Sequence, residues 1–206
     1  MSLPITSALI LIFVVWLHYE MKKESRLSKK TLDLFWQKER ESNLARKKDI
    51  SGLDYLTVSL DSLPMEDIED DTANSYRDLI RKLSGRRMTN LCGLTNTELK
   101  FRYGAANLAL LTEYDNNYTS FVSMLHKWAV RLADKGFISR AQTVLEFSIY
   151  SCRTDVTGSY RLLARLYHEQ NRPDRIDSIA EMISRTKIKQ KEDLILELNT
   201  IKNKPF

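Results

Sequence analysis

At 206 residues and 24.0 kDa the chain has room for one folded domain plus attachments, since domains usually run about 100 to 200 residues. A composition of 43% hydrophobic and 29% charged residues with 6 Gly and 4 Pro excludes a disordered chain and favours a helix-rich one. The net charge of +5 invites a nucleic-acid reading, but residues 1–19 carry no charged side chain, residues 20–48 hold 10 Lys/Arg against 5 Asp/Glu, and residues 49–206 hold 22 of each sign. The whole excess sits beside an apolar segment and leaves no net basic domain, so nucleic acid, whose affinity rests on phosphate neutralisation, is not an expected partner.

Ser2 to Tyr19 are eighteen consecutive uncharged residues, with the most apolar stretch at Ala8–Leu17. That length is close to the minimum for a membrane span, about 17 to 25 residues, and Trp16 and Tyr19 fall at its downstream boundary, where amphipathic rings prefer the headgroup layer. The rivals are a cleaved signal peptide and a buried core helix, the latter needing to tolerate five Lys/Arg within the next turns. Residues 1–4 lack Lys and Arg, and the residues after Leu17 (HYEMKKES) lack the small side chains a peptidase needs, which favours an uncleaved anchor over 3–19. Lys22, Lys23, Arg26, Lys29 and Lys30 follow it. Basic residues this close to a span stay cytoplasmic, so the topology expected is a single-pass protein of a plasma membrane, with the N-terminus outside and the rest of the chain in the cytoplasm. The Asn117-Tyr118-Thr119 sequon would then never meet the glycosylation machinery.

Residues 20–48 lack Gly and Pro and are rich in Lys, Glu, Arg and Leu, which continues the helix as a basic stalk. Its basic side either lies against anionic lipid or only fixes topology. Residues 49–71 break the pattern: Leu56, Val58 and Leu60 alternate with Thr57 and Ser59 at the period of a strand, giving an extended connector whose apolar side docks on the helical domain. The acidic run Glu66–Asp71 reads as a solvated linker. From Thr72 a helix resumes through Tyr76, Ile80 and Leu83 and closes at Gly85 in the C′ position; a short helix follows, opened by the capping pair Thr95 and Glu98 and closed by Gly104. The expected helical domain spans 72–203.

Within it lies an internal repeat. Shifted by thirty-five residues, Leu125, Trp128, Ala129 and Leu132 meet Tyr160, Leu163, Ala164 and Tyr167, each set at the i, i+3, i+4, i+7 spacing of a buried helix face. Gly136 meets Asn171, both able to take the left-handed conformation that ends a helix. Ala141, Val144, Leu145 and Ser148 meet Ile176, Ile179, Ala180 and Ile183 on a second helix, and Pro173 sits at a helix start. A last helix, 189–203, puts Leu194, Leu198 and Ile201 on one side, as a terminal cap should.

These two units, 122–155 and 157–190, resemble the tetratricopeptide repeat family, whose units are about 34 residues of helix, turn and helix. They depart from it at Asn171, at Ile176 and in lacking the closing Pro, so a generic stack of helical hairpins stays open as the alternative. The segment 94–118, with the anchor and the repeats, also resembles a group of uncharacterised membrane-anchored proteins of Gram-positive, clostridia-like bacteria; that likeness implies a bacterial plasma membrane and supplies no activity. The fold class expected is all-α: a transmembrane helix, a helical stalk and a tetratricopeptide-like hairpin stack with a C-terminal capping helix.

Chemistry is sparse. Cys92 and Cys152 are sixty residues apart without a CxxC or clustered His, which is not a metal spacing and fits thiols in a reduced compartment. No phosphate-cradling glycine loop and no hydrolase, metalloprotease or nucleotide-binding signature occurs, so neither enzymatic activity nor a cofactor or metal is expected. What the family resemblance implies is a concave surface lined by the first helix of each unit. Carried onto this register, its peptide-contacting positions are His126 and Val130 in the first unit and Arg161, Arg165 and His168 in the second. Two fixed positive charges at i, i+4 would pair with carboxylates of an acidic peptide or chain terminus, or else merely solvate an exposed face. The expected function is thus a membrane-anchored adaptor or scaffold that binds a protein; the alternative is a non-catalytic structural subunit of a larger membrane assembly.

Overall fold

The structure is a computed structural model that describes residues 3–186, 188 and 190–205, with the side chains of residues 3–6, 8 and 27 outside the description. The protein is all-helical, with α1 (Leu3–Asn43), α2 (Asp71–Ser84), α3 (Asn96–Tyr103), α4 (Leu108–Asp134), α5 (Ile138–Glu146), α6 (Thr157–Glu169), α7 (Pro173–Ser184) and α8 (Lys191–Lys202). Among the described residues, β pairing is limited to one antiparallel bridge, Tyr55 with Thr89. The chain divides into two compact units, Met1–Asp49 with Thr95–Leu108, and Ile50–Leu94 with Ala109–Phe206. The segment 95–108, expected inside the helical domain, thus belongs with the stalk.

In the first unit α1 is one unbroken helix of 41 residues, which at 1.5 Å per residue is about 60 Å long. Among the described residues no helix is long and apolar enough to cross a membrane. Met1 and Ser2, and the side chains of Leu3–Thr6 and Ala8 in the expected span, lie outside the described residues. The stalk is helical only to Asn43, not to residue 48. From there the chain turns and is fastened to α3: the Lys48 N–H donates to the Tyr103 carbonyl (3.0 Å) and the Ala105 N–H to Ala45 (3.2 Å). The Asn107 amide donates to the carbonyls of Lys48 and Tyr103 at 2.7 Å each. Lys100 bridges to Glu39 and to Asn43 Oδ1, and Thr97 donates to Glu39 at 2.7 Å. Gly104 makes this closure possible. Its φ is +92°, and a Cβ there would lie 2.6 Å from the Lys47 Cα and closer still to the Arg46 carbonyl oxygen. The Thr95/Glu98 capping box that opens α3 is present in full.

The second unit owes its core to helix faces. Leu125, Trp128, Ala129 and Leu132 of α4 are buried, as are Tyr160, Leu163, Ala164 and Tyr167 of α6; Ala141, Val144 and Leu145 of α5 and Ile176, Ile179 and Ile183 of α7 complete the layers. Helix α6 packs on α5, α7 and α8, and α8 also packs on α7. The two hairpin turns are superposable in hydrogen bonding. Phe137 N–H donates to Leu132 and Gly136 N–H to Ala133, both 2.9 Å; thirty-five residues on, Arg172 donates to Tyr167 (2.9 Å) and Asn171 to His168 (2.8 Å). Each is the paired-bond helix ending that requires a left-handed residue, supplied by Gly136 at φ +82° and Asn171 at φ +55°. In the second turn a cation–π contact takes the place of the usual apolar one: the Arg172 guanidinium lies over the Tyr167 ring at 5.6 Å. Helix α5 runs into a π turn, Phe147–Ser151, closed by the Cys152 N–H on the Phe147 carbonyl.

The connector after residue 50 docks on this unit. Leu63 is buried, and Leu56, Val58, Leu60, Met65 and Ile68 pack against the core. Helix α2 buries Ala73, Arg77 and Ile80, but Gly85 is not a left-handed C′ residue; its φ is −79°. The acidic run is exposed at Glu66, Asp67, Glu69 and Asp71, as expected of a solvated segment, but it is fastened to the unit. Asp70 caps α2 through the Ala73 N–H (2.8 Å), Asp67 pairs with the buried Arg77, and Glu66 with Arg140 (2.8 Å).

Trp128 is 2% exposed at the centre of the hairpin core. Truncating a buried aromatic costs about 3 to 5 kcal/mol against a total domain stability of about 5 to 15. Trp128→Ala in the full chain is therefore expected to lower the denaturant midpoint of the second unit by a third or more, followed by helical circular dichroism; an unchanged midpoint would place Trp128 outside the core.

Candidate interaction face

The five groove positions lie on α4 and α6 of the second unit. His126 is half-buried, its ring resting on Gly158, where a Cβ would lie 2.8 Å from the imidazole, and its Nδ1 is 3.2 Å from the Ser159 hydroxyl. Burial holds its pKa below the ordinary histidine value, so the neutral ring is the form that packs here. Val130, one turn further along α4, is half-buried. Helix α6 therefore approaches α4 closely at Gly158, and His126 serves as packing between first helices rather than as a free donor.

On α6 the two arginines differ. Arg161 donates from Nε to Glu197 of α8 at 2.5 Å and from its guanidinium to the Thr157 hydroxyl at 2.9 Å, so one of the two expected charges is neutralised by the chain's own cap helix. Arg165 is exposed; its Nε reaches only the Arg161 carbonyl, at 3.4 Å, and among the described residues it forms no ion pair. His168 is half-buried and its carbonyl accepts the Asn171 N–H of the turn. The face thus joins Arg161, paired with Glu197 of α8, and an open Arg165.

Sequence reasoning missed the strongest electrostatic feature of this unit. Asp70, with a side chain 6% exposed, receives a two-pronged grip from Arg131 of α4 (3.0 and 2.6 Å) and a further contact from Lys135 (3.3 Å). Arg131 first, then the Ala73 N–H, holds its carboxyl well below the usual carboxylate range. It also missed the sequon's role: Asn117 is buried, donates to the Arg87 carbonyl (3.1 Å) and accepts from Arg86 (3.3 Å), so both ends of its amide are used inside the protein. Cys152 is a buried free thiol whose pKa burial pushes up to about 12, and Cys92 is half-buried and forms no disulfide. The five stalk bases Lys22, Lys23, Arg26, Lys29 and Lys30 are all exposed on α1, with Lys23 3.0 Å from Glu20.

Compared with known protein families, curated proteins and solved structures, the chain matches no family model, no curated protein and no solved structure.

Because Asp70 has a depressed folded pKa, it contributes stability that is full above the unfolded value of about 4 and is lost as pH falls through that window. Asp70→Asn keeps a competent cap but removes the charge, so its melting temperature should lie below that of the wild type at pH 7. That gap should narrow below about pH 4, where the unfolded chain takes up the proton that the folded carboxylate, with its lowered pKa, still refuses. A gap independent of pH would show that the Arg131 pairing does not stabilise the fold.

Proposed function

We propose that the protein is a non-catalytic interaction module, held at a bacterial plasma membrane by the first part of α1, whose tetratricopeptide-like hairpins offer the α4/α6 face to an acidic protein segment in the cytoplasm. The observation that carries the membrane half is the exposure of α1. Every side chain from Leu9 to Leu17 is 42% to 67% exposed, on all sides of the helix, so no protein surface covers it. Those nine residues are too few to span a bilayer; with the rest of the uncharged segment 2–19 the length reaches the minimum of about 17 residues. A helix apolar all round belongs in lipid or in a large core.

The bases beyond it support lipid. At 100° per residue Lys22, Lys23, Arg26, Lys29 and Lys30 fall within an arc of about 120°, and Glu20 and Glu24 fall outside it. One side of the helix thereby meets anionic headgroups, each base contributing on the order of 1 kcal/mol. The interaction half rests on Arg165, an open guanidinium beside Arg161 on a rigid helix. A structural subunit is the second reading, and it is favoured by one separate feature: Leu32, Leu34, Phe35 and Trp36 of the stalk are 50% to 53% exposed in a stretch that is not expected to lie in lipid.

Two measurements test this. The full chain should stay in the membrane pellet through alkaline carbonate, and a cytosol-dependent fluorescent reporter fused after Phe206 should give signal; release into the supernatant, or signal only from a reporter active outside, overturns the anchor. For the partner, complexes purified from gently solubilised membranes should be weakened at least tenfold, about 1.4 kcal/mol, by Arg161→Glu with Arg165→Glu. Most of that loss should come from Arg165, since Arg161 already has a carboxylate. A stoichiometric complex indifferent to both changes would support the subunit reading.

A further inference from the structure

A second basic feature of the unit formed by Ile50–Leu94 and Ala109–Phe206 is independent of the α4/α6 face. An open cleft of about 400 Å³ lies between the extended connector and the turn that leaves α2, lined among others by Ser51, Tyr55, Thr57, Ser84, Arg86 and Arg87. Its volume is within the range of small-ligand sites, about 300 to 1,000 Å³. What distinguishes it is how its two guanidiniums are held. Arg86 donates to the Asn117 side-chain oxygen at 3.3 Å, and Arg87 lies over the Tyr55 ring at 5.5 Å. Both partners are neutral, and among the described residues neither arginine forms an ion pair, so two adjacent positive charges reach the cleft uncompensated.

The arginines are also pre-positioned. Asn117 is buried on α4 and bonds the Arg87 carbonyl, the Leu56 N–H donates to Met88 (2.9 Å), and the Tyr55 ring is wedged edge-on against Tyr114 with centroids 5.7 Å apart. Nor are they required to finish α2: the Leu83 carbonyl of its last turn already accepts from the backbone N–H groups of Gly85 and Arg86. An uncovered pair of arginines, fixed by neutral groups beside the hydroxyls of Ser51 and Thr57, has the donor chemistry of an oxyanion site.

We propose that this cleft binds a phosphate group, with Arg86 and Arg87 as its charged donors and Thr57 as a hydroxyl donor. Phosphate is favoured over carboxylate because the lining supplies two kinds of donor, guanidinium and hydroxyl, from two separate segments, which suits three peripheral oxygens better than two in a plane. The group is carried either by a soluble phosphomonoester or by a lipid headgroup.

The test uses the full-length protein in phosphatidylcholine nanodiscs, titrated with phenyl phosphate and followed by calorimetry and by the amide resonances of Gly85–Met88. Saturable binding is expected in the millimolar range or tighter, with acetate at equal concentration weaker by at least tenfold. Arg86→Gln with Arg87→Gln should weaken phenyl phosphate at least tenfold while leaving the helical circular dichroism unchanged, since both residues are exposed. Nanodiscs containing phosphatidic acid distinguish the sources: competition with phenyl phosphate assigns the site to a headgroup, and undiminished binding assigns it to a soluble ligand. Binding that does not saturate, that survives the double substitution, or that acetate matches would overturn the proposal.

Discussion

One carboxylate holds the second unit's layers in register. Asp70 starts α2 by accepting the Ala73 N–H and at the same time takes both prongs of Arg131 and the ammonium of Lys135 near the end of α4. A helix start and a helix end separated by sixty-one residues are thereby fixed against each other at a point where the carboxylate is almost fully covered. Charge-assisted bonds of this kind are short and directional, which makes them good at setting position even where their net energetic contribution is modest. The docked connector, with Leu63 in the core and Glu66 on Arg140, lies just upstream of this point and inherits its placement from it.

What the sequence showed and hid follows from the range of the interactions. The hairpin faces, the capping box at Thr95 and Glu98 and the two turn residues Gly136 and Asn171 are all local patterns, set by a helical period or by bonds within a few residues, and each is visible in the residues themselves. The fate of the acidic run was not. Asp70 looks solvated until Arg131 is brought to it, and no spacing rule links them. Arg77 interrupts an apolar stripe for the same reason: its partner Asp67 comes from the connector. Gly85 resembled a left-handed helix end, but the chain leaves α2 by a right-handed turn that sends Arg86 towards Asn117. The need for glycine at 104 came from a neighbour far away in the chain, the backbone at Arg46 and Lys47. Of the five groove positions, burial explains why His126 became packing, and the contribution of α8 explains why Arg161 is half-occupied; neither could be read from α6 alone.

Charge is handled unevenly across the molecule. Arg77, Arg131, Arg140 and Arg161 are each answered by a carboxylate brought from elsewhere in the chain. Arg86, Arg87 and Arg165 are instead oriented by neutral oxygens or a ring, with their charge intact. Structural arginines are those the fold neutralises, and those left charged are where an anionic ligand would meet a charge no carboxylate of the chain already answers.

The π turn at Phe147–Ser151 bears on the length of the repeat itself. A turn closed from Cys152 back to Phe147 encloses one residue more than an ordinary helical turn, and the two hairpins here recur at thirty-five residues. A surplus residue placed in a connecting loop would be invisible; placed inside a helix it would normally rotate every later side chain by about 100°. Taken up as a local widening at the end of α5, it leaves Ser148 and Ile149 both buried, and the loop of residues 152–156 separates it from α6.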